Sequence, residues 1–183
     1  ALNAPESAHL SADLIETLER ILLDAHLSSS YKTQLLSLPN FATLAQKVQH
    51  TQALDPQKLF AARKAVGNAL VHSLGYYWSD TYVQLNDGAA YRYDGESAGK
   101  RSLKNLALAY WAKSRERKGD AWRAVRNQYQ NSDNMTDRIA ALNIAIEYFH
   151  DDNVGAGALI EDFYQRYQNE ALVIDKWFSA QAA

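Results

Sequence analysis

A chain of 183 residues with 47% hydrophobic and 22% charged content can bury a sizeable core in one or two domains. No apolar run approaches the roughly 20 residues of a membrane-spanning helix, and no basic-then-apolar segment precedes a cleavage site. The formal charge of -2 argues against a dedicated nucleic-acid binder, and the absence of cysteine excludes a disulfide framework, a thiolate metal site and a cysteine nucleophile.

Ala1 stands where an initiator methionine would, which reads as a chain that begins inside a longer protein or has been processed. Residues 1–6 read as an unstructured lead. From Ser7, the residues Leu10, Leu14, Leu18, Ile21 and Ala25 recur at intervals of three and four, predicting a helix that ends near His26. Ser28 to Ser30 offer caps for a short helix carrying Leu35, Leu36 and Leu38, ended by Pro39. A third short helix is predicted over residues 41–48. Asp55-Pro56 is a strong start signal, and helical spacing runs from Leu59 to about Leu85, with Gly67 and Gly75 marking bends or close packing. Asn86-Asp87-Gly88 breaks it by turn chemistry.

The longest loop, residues 86–95, contains Tyr91, Arg92 and Tyr93, the one aromatic group singled out for contact with a partner. A helix from Ser97 carries Leu103, Leu106, Ala107, Tyr110 and Trp111 and is expected to end at Lys118-Gly119 as a glycine cap. Asp120 is expected to cap the next, which holds Trp122, Val125 and Tyr129. Asn134-Met135-Thr136-Asp137 opens the cleanest stripe, Met135, Ile139, Leu142, Ile146 and Phe149. Asp151-Asp152-Asn153 reads as the cap of a helix with Leu159, Ile160, Phe163, Tyr164 and Tyr167. In the last helix Val173, Ile174, Trp177, Phe178 and Ala180 share one broad arc.

No strand-type alternation is found. The expected fold is all-α, with about eight or nine helices in antiparallel pairs, stacked as an α-solenoid or irregular superhelical bundle. It is read as a single helical domain or part of one over residues 1–183, with looser helices at 7–85 and a helical-pair segment at 96–183. No sequence period licenses a named repeat.

Catalytic signals are sought without success. His9, His26, His50, His72 and His150 lack the H-E-x-x-H spacing for zinc, and His150-Asp151-Asp152 reads as capping chemistry at a helix junction. Gly155-Ala156-Gly157 lacks the context of a phosphate loop and reads as a close-packed helix start. The neighbouring pairs Asp151/Asp152 and Glu161/Asp162 point in different directions on a helix. Residues 100–126 hold nine basic side chains against Glu116 and Asp120, read as a solvated basic face.

Three segments carry a resemblance. Asn134-Met135-Thr136-Asp137 with Ala140-Ala141-Leu142, then Phe163-Tyr164 to Tyr167 with the run from Leu172-Val173-Ile174-Asp175-Lys176-Trp177-Phe178 to Ala182, and the basic segment Lys100-Arg101-Ser102-Leu103-Lys104-Asn105 are similar to the C-terminal region of bacterial aminopeptidase N. The agreement is strong from about residue 100 onward and loose from Leu10 to Leu85.

The resemblance implies part of a cytoplasmic zinc exopeptidase that removes N-terminal residues from peptides. It implies that a separate catalytic domain carries the zinc site, and that the helical domain helps close the substrate chamber. No catalytic, cofactor-binding or metal residue is carried over to this chain. The implied partners are the parent's catalytic domain and its remaining C-terminal helices, with peptide substrates only in the full enzyme and neither nucleic acid nor membrane. Asn134 and Thr136 are expected as helix-start caps. Trp177 and Phe178 are expected to pack on Phe163, Tyr167 and the helix from Ile139 to Phe149, with some apolar surface left exposed. The alternative is a free-standing α-solenoid that binds proteins through Tyr91 to Tyr93 and the basic stretch.

Overall fold

The computed structural model describes residues 10–50, 53–114, 118–150 and 155–182. These form nine helices and no strand: α1 (Ala12–Leu23), α2 (Ser29–Leu36), α3 (Phe41–Gln49), α4 (Pro56–Leu85), α5 (Gly95–Lys113), α6 (Lys118–Asn131), α7 (Met135–Phe149), α8 (Ala156–Tyr167) and α9 (Ala171–Ala182). Apart from α2 and α3, consecutive helices pack as neighbours, and α5 also touches α2 and α7, so it is the hub of a solenoid-like all-α fold.

Local chemistry sets the helix starts. Ser11, Ser28, Asn40, Asp55, Asp94 and Asn134 each stand in extended conformation, and each side chain accepts a hydrogen bond from the backbone N–H three residues on. Asp55 acts together with Pro56 in the first turn of α4. Helix ends are tied to other helices: Lys32 Nζ donates to the Leu22 carbonyl at 2.8 Å, and the Tyr110 hydroxyl donates to the Leu36 carbonyl at 3.1 Å. Both carbonyls lie in a last turn, where no intrahelical donor is available.

Several boundaries differ from expectation. α1 starts after Ser11, because its hydroxyl supplies the cap, and ends at Leu23. α5 starts at Gly95, two residues early, because Asp94 binds the Ser97 amide. The glycine cap expected at Lys118-Gly119 is not formed: α5 ends at Lys113 with Ser114 as its cap, and Lys118 and Gly119 lie in the first turn of α6. Asp120 is therefore inside α6, where it pairs with Arg123 one turn on, rather than preceding the helix. Thr136 is likewise an exposed residue within α7, since Asn134 alone caps that helix. The expected cap at Asp151-Asp152-Asn153 lies outside the described residues.

The core is aromatic at its centre. Trp78, Tyr129, Phe149 and Phe163 are fully buried, each contributing on the order of 1.5–3 kcal/mol through apolar burial. α4 bends at Gly75, whose backbone leaves helical geometry, and Trp78 Nε1 donates to the Leu70 carbonyl across that bend. Close approach accounts for two other glycines. A Cβ on Gly99 would lie 2.4 Å from Ser30 Oγ and 3.0 Å from its backbone nitrogen, so α2 and α5 meet there without a side chain between them. A Cβ on Gly155 would lie 2.3 Å from the Trp122 ring, in keeping with a close-packed helix start, whereas Gly157 faces open space.

α9 seats most of its broad apolar arc. Val173 and Trp177 pack against the core, Trp177 Nε1 donates to the Ile160 carbonyl at 2.9 Å, and its ring lies 5.1 Å from that of Tyr164. Phe163 and Tyr167 form a tilted ring pair at 4.7 Å, and α9 also touches α7, as expected for this helix. Phe178 meets the edge of Trp177 but is 59% exposed, and Leu172 is 81% exposed. Of the five arc residues only Phe178 stays exposed, beside Leu172, which lies outside the arc.

Candidate functional site: a polar cleft with a buried ion pair

The two motif segments at residues 100–105 and 134–137, some thirty residues apart, come together. α5 is long enough to carry Lys104 and Asn105 past the start of α7, where Asn134 caps and Asp137 occupies the third helical position. Asp137 is only 3% exposed. Its carboxylate accepts from Lys104 Nζ at 2.7 Å, Asn105 Nδ2 at 2.9 Å and Asn134 Nδ2 at 3.2 Å, while its own backbone N–H donates to Asn134 Oδ1 at 2.9 Å. The cap and the ion pair are therefore one unit.

A carboxylate only accepts, so it orients everything around it. It turns the Asn105 amide nitrogen inward, which leaves Asn105 Oδ1 facing Gln128 on α6. Gln128 Nε2 donates there at 2.7 Å and to the Asp137 carbonyl at 3.0 Å. The chain of bonds ends at Gln128 Oε1, a buried acceptor with no hydrogen-bond partner among the described residues.

This cluster floors a cleft of about 530 Å³ whose rim is the 86–94 loop. Gly88 has φ +74, the left-handed geometry that the Asn-Asp-Gly turn predicted. The loop is tethered: the Tyr91 amide donates to Asp133 Oδ2 at 2.7 Å, Arg101 donates to the Arg92 carbonyl at 3.1 Å, and the Arg101 guanidinium lies 4.7 Å over the Tyr91 ring. Hydrogen bonds from Asn134 and the Tyr91 amide hold the Asp133 carboxyl below the usual carboxylate range. Those from the Ser97 amide and hydroxyl do the same for Asp94. Behind the floor, burial and then the Asp137 charge push the Tyr82 phenol up to about 12, so it stays neutral and donates to the Ala124 carbonyl.

Of the residues singled out in the sequence, Tyr91 and Arg92 therefore line the cleft, while Tyr93 is 93% exposed outside it. The basic stretch does not form one face. Lys100, Arg101 and Lys104 belong to this cleft, and Lys113 and Lys118 line a different concavity. His150 closes α7, and its neighbours Asp151 and Asp152 lie outside the described residues. Gln128 escaped the sequence reading. Its signal was position: it follows Ala121 and Val125 by seven and three residues, on the buried stripe of α6.

Chemically, the cleft holds helices in place. Each carboxylate at its floor is satisfied by donors from other elements, which is the pattern of a structural network. Among the described residues, no group of three or more His, Asp or Glu side chains is placed to hold a metal ion, and no helix is long and apolar enough to cross a membrane.

Comparison with known proteins extends the picture across the chain. Aminopeptidase N of Haemophilus influenzae is 28% identical over 179 residues, covering 97% of this chain and 19% of that protein. Aminopeptidase N of Escherichia coli K12 is 27% identical over 173 residues, covering 94% and 19%. The chain thus spans about a fifth of the length of these relatives, and the similarity includes the helices before residue 100. Among solved structures, Legionella pneumophila aminopeptidase A, in complex with aspartic acid, superposes with a TM-score of 0.79 at 23% identity, over 95% of this chain and 20% of that one, a likeness of fold. The family model described as a domain of unknown function (DUF3458_C) with ARM repeats matches residues 1–183. Its repeats are structural, with no exact sequence period to betray them. The chain is a member of this ARM-repeat family, and its aminopeptidase N resemblance runs over nearly its whole length.

Proposed function

We propose that the chain is the architectural, non-catalytic part of a zinc aminopeptidase that removes N-terminal residues from peptides, and that it helps close the chamber in which the substrate lies. The observation that carries this reading is the match of nearly the whole chain to a fifth of aminopeptidase N in two organisms. The sequence itself has no H-E-x-x-H segment, so the zinc ion belongs to the parent's catalytic domain. The partners are that domain and the parent's remaining helices, with Leu172 and Phe178 on α9 as an apolar contact.

The chamber role is tested by producing the remainder of the parent separately and adding this chain. An equimolar complex is expected, with hydrolysis of a dipeptide amide kept and cleavage of a long unfolded polypeptide suppressed at least fivefold relative to it. Failure to associate, or equal suppression of both substrates, contradicts that role and favours the free-standing solenoid.

A further inference from the structure

A second concavity, of about 790 Å³, opens where α4, the end of α5 and the end of α7 meet. Its polar lining is unlike that of the first cleft. Arg63, Lys64, Lys113 and Lys118 face it together with His72 and His150, and Glu147 is the one carboxylate among the described lining residues. Several cations elsewhere are matched by a carboxylate: Lys58 faces Asp55, Lys100 faces Glu96, Lys104 faces Asp137 and Arg166 faces Asp162. None of the four cations here makes an ion pair within 4 Å among the described residues. Arg63 donates to the Pro39 carbonyl and Lys118 lies over the Phe149 ring, both of which orient a cation without neutralising it.

Gathering like charge in a concavity is unfavourable unless something is gained by it. Lys113 shows the cost. Its ammonium group lies so close to Gly67 that a Cβ there would be 2.6 Å from Nζ. Desolvation holds the ammonium below its usual range; Glu147 opposes this, and Arg63 and Lys64 add to it by repulsion. An excess of three positive charges among the described lining residues, distributed over a volume of small-molecule size, fits a compact counter-anion.

We propose that this concavity is a binding site for a small multivalent anion carrying three or more negative charges, of the triphosphate or tricarboxylate type. Lysine ammonium groups supply point charges to its oxygens, and Arg63 supplies the remaining planar N–H donors. The site is independent of the proposed peptidase role.

Calorimetric titration of the 183-residue chain with inorganic triphosphate and, separately, with citrate, at about 20 mM salt, tests it. Saturable binding of at least one anion is expected, weakening steeply as salt rises. Preference for triphosphate identifies phosphate as the ligand chemistry, and preference for citrate identifies carboxylate. Lys64→Gln with Lys118→Gln, both exposed positions, should weaken binding at least about tenfold while far-UV circular dichroism is unchanged. Glu147→Gln should tighten it several-fold, a change of sign that a folding defect cannot produce. Lys100→Gln, at the other cleft, should leave it unaltered. No binding of either anion at low salt, or the same loss in Lys100→Gln as in the double variant, overturns the site.

Discussion

Asp137→Ala is expected to lower folding stability by about 3–5 kcal/mol, measured as a shift in the urea midpoint with an unchanged slope. The carboxylate is 3% exposed and collects three donors, so its loss leaves Lys104, whose side chain is 12% exposed, as a poorly solvated charge without its counter-ion. It also strips Asn105 and Asn134 of the acceptor that orients them, and Gln128 of its ordered neighbour. Lys104→Met should cost a comparable amount. The double replacement Lys104→Met with Asp137→Leu should cost much less than the two singles together, because the isolated charge no longer exists in either form. A loss below about 1 kcal/mol in Asp137→Ala would show that the network does not hold α5, α6 and α7 together.

Trp78→Ala should cost about 3–5 kcal/mol, the range for emptying a large aromatic site in a packed core. The ring is 1% exposed, stacks on Tyr110 at 4.5 Å, and spans the bend in α4 through its Nε1 bond to the Leu70 carbonyl. Trp78→Phe separates the two contributions. It keeps an aromatic face for Tyr110 but removes the donor at the bend, so about 1–2 kcal/mol should be lost. If Trp78→Phe is as damaging as Trp78→Ala, the hydrogen bond across the bend outweighs the stack. Because a domain of this kind is stable by only about 5–15 kcal/mol, Asp137→Ala and Trp78→Ala combined should bring the chain close to unfolding.

These two sites differ in how far the sequence disclosed them. Trp78 was legible as a core position because it continues the helical spacing from Leu70 and Leu74. Asn134 and Asp55 were legible as helix starts because capping depends on only three or four consecutive residues. Where neighbouring signals compete, local reading failed. Lys118-Gly119-Asp120 contains both a stop signal and a start signal, but α5 already ends at its Ser114 cap, and all three residues lie within α6.

The polar cluster lay beyond local reading for a different reason. Lys104, Gln128 and Asp137 come from three helices, and each alone looks like a surface residue. Only the polar residue on the buried stripe of α6 hinted that a partner was waiting. The basic concavity is more distant still. Arg63 and Lys64 on α4 meet Lys113 at the end of α5 because the two helices pack along each other. The basic run at residues 100–126 pointed to one face, whereas the helical period sends its members to two separate concavities.

Tyr129 illustrates how the later helices are joined once the centre is formed. Burial, followed by its hydrogen bond to Asp162, pushes its phenol well above the ordinary range, so the hydroxyl remains a donor to α8 at all physiological pH values. The same Asp162 accepts from Arg166 at 2.6 Å, and α9 then docks through Trp177. The packing proceeds helix by helix, as expected of a solenoid whose units contact mainly their neighbours.

We propose that this chain contributes architecture and no catalysis of its own to an aminopeptidase. This is tested most directly by incubating the purified 183-residue chain with an amino-acid p-nitroanilide and equimolar zinc, with and without a chelator. No turnover above the chelated control is expected. Zinc-dependent release of nitroaniline by this chain alone would contradict the account.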